Sequence, residues 1–142
     1  MELSKAIRTA YFTALNGNII FDSKIVPVFD AYALPEGIPY PYILLSSQTS
    51  NQLSIKRCKR YNASILIDIV TGSTDPIGRS DAEDIAEQIE NIVNPDTFVD
   101  LSTTDYQIGN TTRESDNDLT DKNNIYYIYR KLLTYSFLAV KL

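Results

Sequence analysis

Histidine is absent from this 142-residue sequence. Its absence removes the commonest general base, the usual partner of a serine or cysteine nucleophile, and the commonest transition-metal ligand. Tryptophan is absent as well, and cysteine occurs once, as Cys58. A single cysteine excludes an intrachain disulfide and a cysteine metal cluster. Positive charge is in deficit: 13 Lys and Arg stand against 18 Asp and Glu, a formal net charge of −5. That balance argues against general nucleic-acid binding, which needs a basic surface to displace counterions. It is compatible with DNA that slides past without sticking. Long apolar runs are also missing. No stretch approaches the length of a bilayer span, and Lys5 and Arg8 interrupt "MELSKAIRTAYFTALNG" where a signal peptide needs an apolar core. The expectation is a protein made and used in a reducing, cytosol-like setting, with no membrane partner.

What remains is ordinary for a globular chain: 44% apolar and 22% charged residues, in a length suited to one domain over 1–142. Residues 2–15 read as an amphipathic helix, with Leu3, Ile7, Ala10, Tyr11 and Ala14 at spacings of three and four. "LNGN" follows as a stop, through a left-handed Asn16 or Gly17. "KIVPVF" predicts a short strand, and Pro27 confines it to an edge. "PEGIPYPY" then leads stiffly into a strand over 41–49, because Pro39 and Pro41 each push the preceding residue toward extended geometry. A longer strand is predicted at 57–71, with Ala63, Ile65, Ile67 and Ile69 on one face. The short polar link between the two suggests an antiparallel hairpin. Ser80-x-x-Glu83 reads as a capping box ahead of a helical stripe of Ala82, Ile85, Ala86, Ile89, Ile92 and Val93, stopped by Pro95. Strands are predicted at 104–115 and 124–141, the second with a change of phase near Lys131 that suggests a bulge. "ESDNDLTDKNN" between them reads as an exposed acidic hairpin tip. The element order is α, short β, β, β, α, β, β. The simplest α+β solution is a single mixed or antiparallel sheet with both helices on one face.

Few patterns carry chemistry. Asp81 with Asp84, and Glu83 with Glu87, are carboxylate pairs, but capping and the helix dipole account for acids in a first turn. Glu114, Asp116, Asp118 and Asp121 resemble the start of a calcium loop, yet the glycine and the distal glutamate are missing. A small metal-dependent hydrolase built on residues 114–121 is therefore an alternative reading. A protein-binding module using the Pro/Tyr stretch is another. The basic run Lys56, Arg57, Lys59 and Arg60, beside Tyr61, has the look of a nucleic-acid patch, but in an acidic chain it reads as a solvated or intermolecular ionic surface. Cys58 within it has no histidine to serve as its base. "GSTDPIG" lacks the phosphate-loop pattern, and the triplets at Asn62 and Asn110 have no secretory context. No catalytic, metal or cofactor residue is assigned. Tyr40, Tyr42, Tyr126, Tyr127 and Tyr129, with the four cations of the basic run, are the candidates for subunit or partner contact, since tyrosine combines a large apolar area with one hydroxyl.

The succession of these segments resembles the tail-terminator, or tail-completion, proteins of tailed bacteriophages. The resemblance rests on a first helix ending at "TALNGN", then "KIVPVFDAYALPEGIPYPYILLSS", a polar hairpin and "NASILIDIVT". "GRSDAEDIAEQIENIVN" follows as a crossover helix before a C-terminal hairpin. It implies a non-enzymatic structural protein of the virion neck or tail. Such a protein would be made in the bacterial host cytoplasm and would form a homo-oligomeric ring, hexamer or dodecamer. It would meet portal or connector and tail proteins and let DNA pass without specific binding. The acidic segment Glu114, Asp116, Asp118 and Asp121 would then face the lumen or a neighbouring layer.

Overall fold

Leu3, Ala6, Ile7, Ala10, Tyr11 and Leu15 recur at helical spacing and are all buried, and they define α1, Leu3–Leu15. The computed structural model describes residues 2–53, 59–75, 78–96, 101, 103, 105–122 and 127–142. The Glu2 carboxylate caps α1 by accepting the Lys5 amide at 3.2 Å. At the other end the Asn16 amide returns to the Phe12 carbonyl, and Gly17 takes the left-handed φ of 82° that ends the helix.

"KIVPVF" divides at Pro27 between two sheets. Its first part belongs to a hairpin of β1, Ile20–Phe21, and β2, Lys24–Ile25, turned by Asp22 and Ser23 at φ 50° and 62°. No glycine or Asn-Gly pair signals that turn, so it was not legible in the sequence. Its second part is β3, Val28–Asp30, which runs parallel to β4, Tyr42–Leu53. Pro27 has no amide to offer, but its carbonyl accepts the Ile43 amide at 2.9 Å and starts the pairing.

The five-stranded sheet has the order β3-β4-β5-β7-β6, with β5 at Arg60–Ser73, β6 at Tyr106–Lys122 and β7 at Tyr127–Lys141. All pairings except β3–β4 are antiparallel. The connecting helix α2, Gly78–Val93, and α1 pack on the same face. Their buried stripes meet Ile43 and Leu45 of β4, the alternate residues Ala63 to Ile69 of β5, and Leu133, Tyr135, Phe137 and Ala139 of β7. The expected α+β fold is thus the observed one.

Three details differ from the expectation. α2 begins at Gly78, so Ser80 lies inside the first turn, and Glu83 accepts from Arg79 at 3.2 Å rather than closing a capping box. β7 runs without a register shift from Tyr127 to Lys141; the apparent change of phase arises because the charged Lys131 occupies a buried position of the apolar face. The bulges lie instead in β4, between Leu45 and Gln48, and twice in β6, between Gly109 and Thr112 and between Arg113 and Ser115. Each extra residue exchanges the faces that its strand presents downstream. The β4 bulge turns Gln48 toward α1, where it donates to the Ser4 carbonyl at 2.9 Å and accepts from Arg8 at 3.3 Å.

Side-chain amides tie the small hairpin down as well. Gln88 of α2 accepts the Ile20 amide at 2.9 Å and donates to the Ile20 carbonyl at 2.7 Å, as a paired strand would. Gln88→Ala is expected to cost about 1–2 kcal/mol, two modest hydrogen bonds, in urea unfolding. Amide exchange should accelerate at Ile20 while the β5–β7 amides keep their protection.

Candidate functional site

The sheet face away from the helices is the part of the molecule with unassigned surface. Its alternate residues on β4, β5 and β7 include Leu44, Asp68, Val70, Ile128, Arg130 and Leu132. The Pro/Tyr stretch lies over one end of it. The Tyr40 and Tyr42 rings stack at 5.6 Å and 17°, across a cis Tyr40–Pro41 peptide. Tyr40 rests on Gly72 of β5: a Cβ there would stand 2.5 Å from the ring. The absence of a side chain at Gly72 is therefore the space that Tyr40 fills. Tyr40 and Tyr42 are each half-buried against their own sheet, with part of each ring left open.

A cleft of about 470 Å³ opens beside them, between this segment and the end of β6. Leu34, Tyr40, Tyr42, Leu44, Val70, Leu119 and Ile128 give it an apolar lining, with Asp121 and Arg130 as its charged groups. Asp68, 2% exposed, lies in the middle of the same face. The Arg130 guanidinium donates to both its oxygens, from Nε at 3.3 Å and from a terminal nitrogen. The bond to Asp68 holds the guanidinium pKa above its ordinary value. The Tyr42 hydroxyl is pushed up by burial, and then by Tyr40. A bidentate pair uses part of the guanidinium fork and leaves donors for the open side. The arrangement can hold an apolar group with charged neighbours.

The acidic segment is not a hairpin tip. Ser115 to Lys122 pairs with Thr134 to Tyr127, so Asp116, Asp118 and Asp121 are strand residues, and Glu114 is the extra residue of the second bulge. That bulge aims Asp116 and Asp118 at the helix face, where Lys131 waits: its ammonium lies 2.9 Å from Asp116 and 3.5 Å from Asp118. Lys131 is 7% exposed. A buried ammonium needs such partners, because the desolvation cost of an unpaired one is several kcal/mol. The nearby Tyr129 hydroxyl and then Lys131 hold the Asp118 carboxyl below the usual range. Burial, and then Asp118, push the Tyr129 hydroxyl up. Two of the four carboxylates with calcium-like spacing, Asp116 and Asp118, thus meet a cation of the chain itself. Among the described residues no group of three or more metal-ligating side chains gathers. The first bulge serves Arg113 similarly: it sits 3.9 Å from a Glu90 oxygen that also accepts the Tyr135 hydroxyl, joining β6, α2 and β7.

The other candidates separate. Tyr129, expected at a partner surface, is 8% exposed within the core. Tyr127 is at the start of β7, with the Lys122 ammonium 4.9 Å above its ring. Lys59 and Arg60 are exposed at the opposite end of the sheet beside Lys141, whose amide donates to the Lys59 carbonyl at 2.9 Å. Lys56, Arg57 and Tyr126 lie outside the described residues. Sequence reading missed the Asp68–Arg130 and Lys131–Asp116 pairs. The available signal was one acid inside the apolar run "SILIDIV" and two cations inside another, since a charge in a strand interior demands a partner.

The whole fold is similar to a solved chain of the virion of a native gene transfer agent (GTA) particle. The likeness covers 98% of this chain and 97% of that one, with a TM-score of 0.73 and 13% sequence identity. At that identity it shows the fold. No protein-family model matches the sequence, and no curated protein matches it. No described helix is long and apolar enough to cross a membrane.

Two measurements check these contacts. Gly72→Ala should destabilise the protein by about 1–3 kcal/mol through overpacking, and combining it with Tyr40→Ala should abolish that cost; additive losses would contradict the close approach. Lys131→Met should cost roughly 2 kcal/mol, less than a fully buried pair because Asp116 and Asp118 are about one-third exposed. The pH dependence follows from Asp118. Its folded value lies below its ordinary 3.8, so its stabilisation is present above that pH and is lost as pH falls through the folded value. Acid titration of unfolding should therefore be shallower in Lys131→Met than in the wild type.

Proposed function

We propose that this chain is a non-enzymatic structural protein of a bacteriophage-type virion, forming a homo-oligomeric ring in the neck or tail that joins the tail to the portal and lets DNA pass. The observation that carries the reading is the likeness over nearly the full length to a chain of a gene transfer agent virion. Two features of the structure support it. The conspicuous carboxylates at 116 and 118 pair with an internal lysine, which supports a structural role for these two. Among the described residues, α1 and α2 both pack on one face of the sheet, and the other face carries an apolar cleft at one end, the kind of surface that a subunit or layer contact uses. A net charge of −5 suits a channel component past which DNA must slide.

Native mass analysis and sedimentation of neck and tail complexes released from particles test this. A symmetric ring of this chain, a hexamer or a dodecamer, is the expected result. A chain recovered from intact particles as a monomer alone would overturn it.

A further inference from the structure

The dipeptide Asn-Gly occurs once in the chain, at Asn16 and Gly17. The fold places it in an exposed turn. Asn16 is the C-cap of α1, and Asn16, Gly17 and Asn18 are exposed between Leu15 and Ile19, which are both fully buried. The Asn16 amide donates to the Phe12 carbonyl at 2.8 Å, and the Asn18 amide donates to the Leu15 carbonyl at 3.1 Å. The Asn18 carboxamide donates to the Ala14 carbonyl at 2.9 Å. These bonds hold the two ends of the turn. Among the described residues, no hydrogen bond engages the Asn16 carboxamide or the Gly17 amide. A Cβ at Gly17 would meet nothing within 4 Å, so the turn is open to water. Glycine is also the residue whose backbone turns most freely and whose nitrogen no side chain shields.

We propose that Asn16 is a site of spontaneous deamidation through Gly17. The Gly17 nitrogen attacks the carbonyl carbon of the Asn16 side chain. A new C–N bond forms, the bond to the side-chain nitrogen breaks, and ammonia leaves with the Gly17 amide proton. Water then adds to either carbonyl of the five-membered imide, and the Gly17 nitrogen regains a proton. The products are aspartate, or isoaspartate with the chain running through the side-chain carbon. At a ψ of 124° the Gly17 nitrogen points away from the Asn16 side chain, so ring closure requires rotation about the Asn16 Cα–C bond. Gly17 tolerates that rotation, and the buried Leu15 and Ile19 restrain it. The folded turn therefore reacts more slowly than the same pair in an unfolded chain. Each product changes the fold locally. Aspartate puts a carboxylate at the C-terminal end of α1, where the helix dipole disfavours negative charge, and in a groove that Asp30 also lines. Isoaspartate lengthens the backbone between Leu15 and Ile19. That displaces the β1–β2 hairpin, which begins at Ile20, from its clamp on Gln88.

Peptide mapping of the full-length chain, held folded at mildly alkaline pH, tests the site. Trypsin releases residues 9–24, which carry Asn16 and Asn18, and fragmentation separates the two. The expected result is an amide-to-acid mass shift at Asn16 ahead of every other asparagine, with isoaspartate detected by isoaspartyl methyltransferase labelling. Gly17→Ala should lose that shift over the same period. Conversion first at another asparagine would overturn the proposal. So would an intact Asn16 in the folded chain once the urea-unfolded chain has converted completely, or conversion at an undiminished rate in Gly17→Ala. Because Gly17→Ala sets a side chain at a φ of 82°, Asn16→Asp supplies a second readout. Its thermal midpoint should fall, and added salt should restore part of the loss by screening the dipole. An unchanged midpoint would overturn the effect assigned to the new charge.

Discussion

Everything in this molecule hangs on the register of β5. Ala63, Ile65, Ile67 and Ile69 point to one side of the sheet and are buried beneath α1 and α2. Burying an isoleucine is worth roughly 1.5–3 kcal/mol, so the stripe alone outweighs any one polar contact described here. A slip of one residue would send it to the open face and bring Ser64, Leu66 and Asp68 under the helices. β4 and β7 inherit their register from β5, β6 inherits its own from β7, and the helices inherit their seats from all four. The polar devices adjust this arrangement and do not create it.

Those devices share one logic. Each long strand has more positions than the helices can cover, and beyond that cover a side chain must either be polar or find a partner. Arg130 and Asp68 solve this on the open face. Lys131 solves it on the other face, with two carboxylates from the neighbouring strand. Glu90 solves it from the helix side, accepting from Tyr135 and standing near Arg113. The acidity of β6 also suits its position as an outer strand, since charged side chains discourage unwanted pairing along a free edge.

How much of this could be read from the residues depended on how local the signal was. The helices were legible because their stripes repeat within one element, and β5 because its isoleucines alternate without interruption. Pro27 correctly announced an edge. Two failures were local, the turn at Asp22 and Ser23 and the start of α2; the others were non-local. The sequence around Lys131 suggested a bulge because a buried lysine looks like a break in the pattern until Asp116 and Asp118 are known to lie opposite. The acidic segment looked like a tip because a strand that pairs on one edge only, with few apolar residues, carries no periodic signature. Tyr40 and Tyr42 were candidates for subunit or partner contact, and Gly72, the residue that makes room for Tyr40, stands 32 positions away and gives no sign of its role.

The two bulges of β6 have a consequence for how this strand can change. Between Gly109 and Ser115 the chain twice exchanges the faces it presents, and the two exchanges together restore Asp116 and Asp118 to the side of Tyr106 and Ile108. A substitution in that interval alters one side chain. The loss of a single residue would alter all that follow, lifting both carboxylates off Lys131 and putting Asn117 and Leu119 in their place. Selection can let the letters of this segment drift, but it must count them.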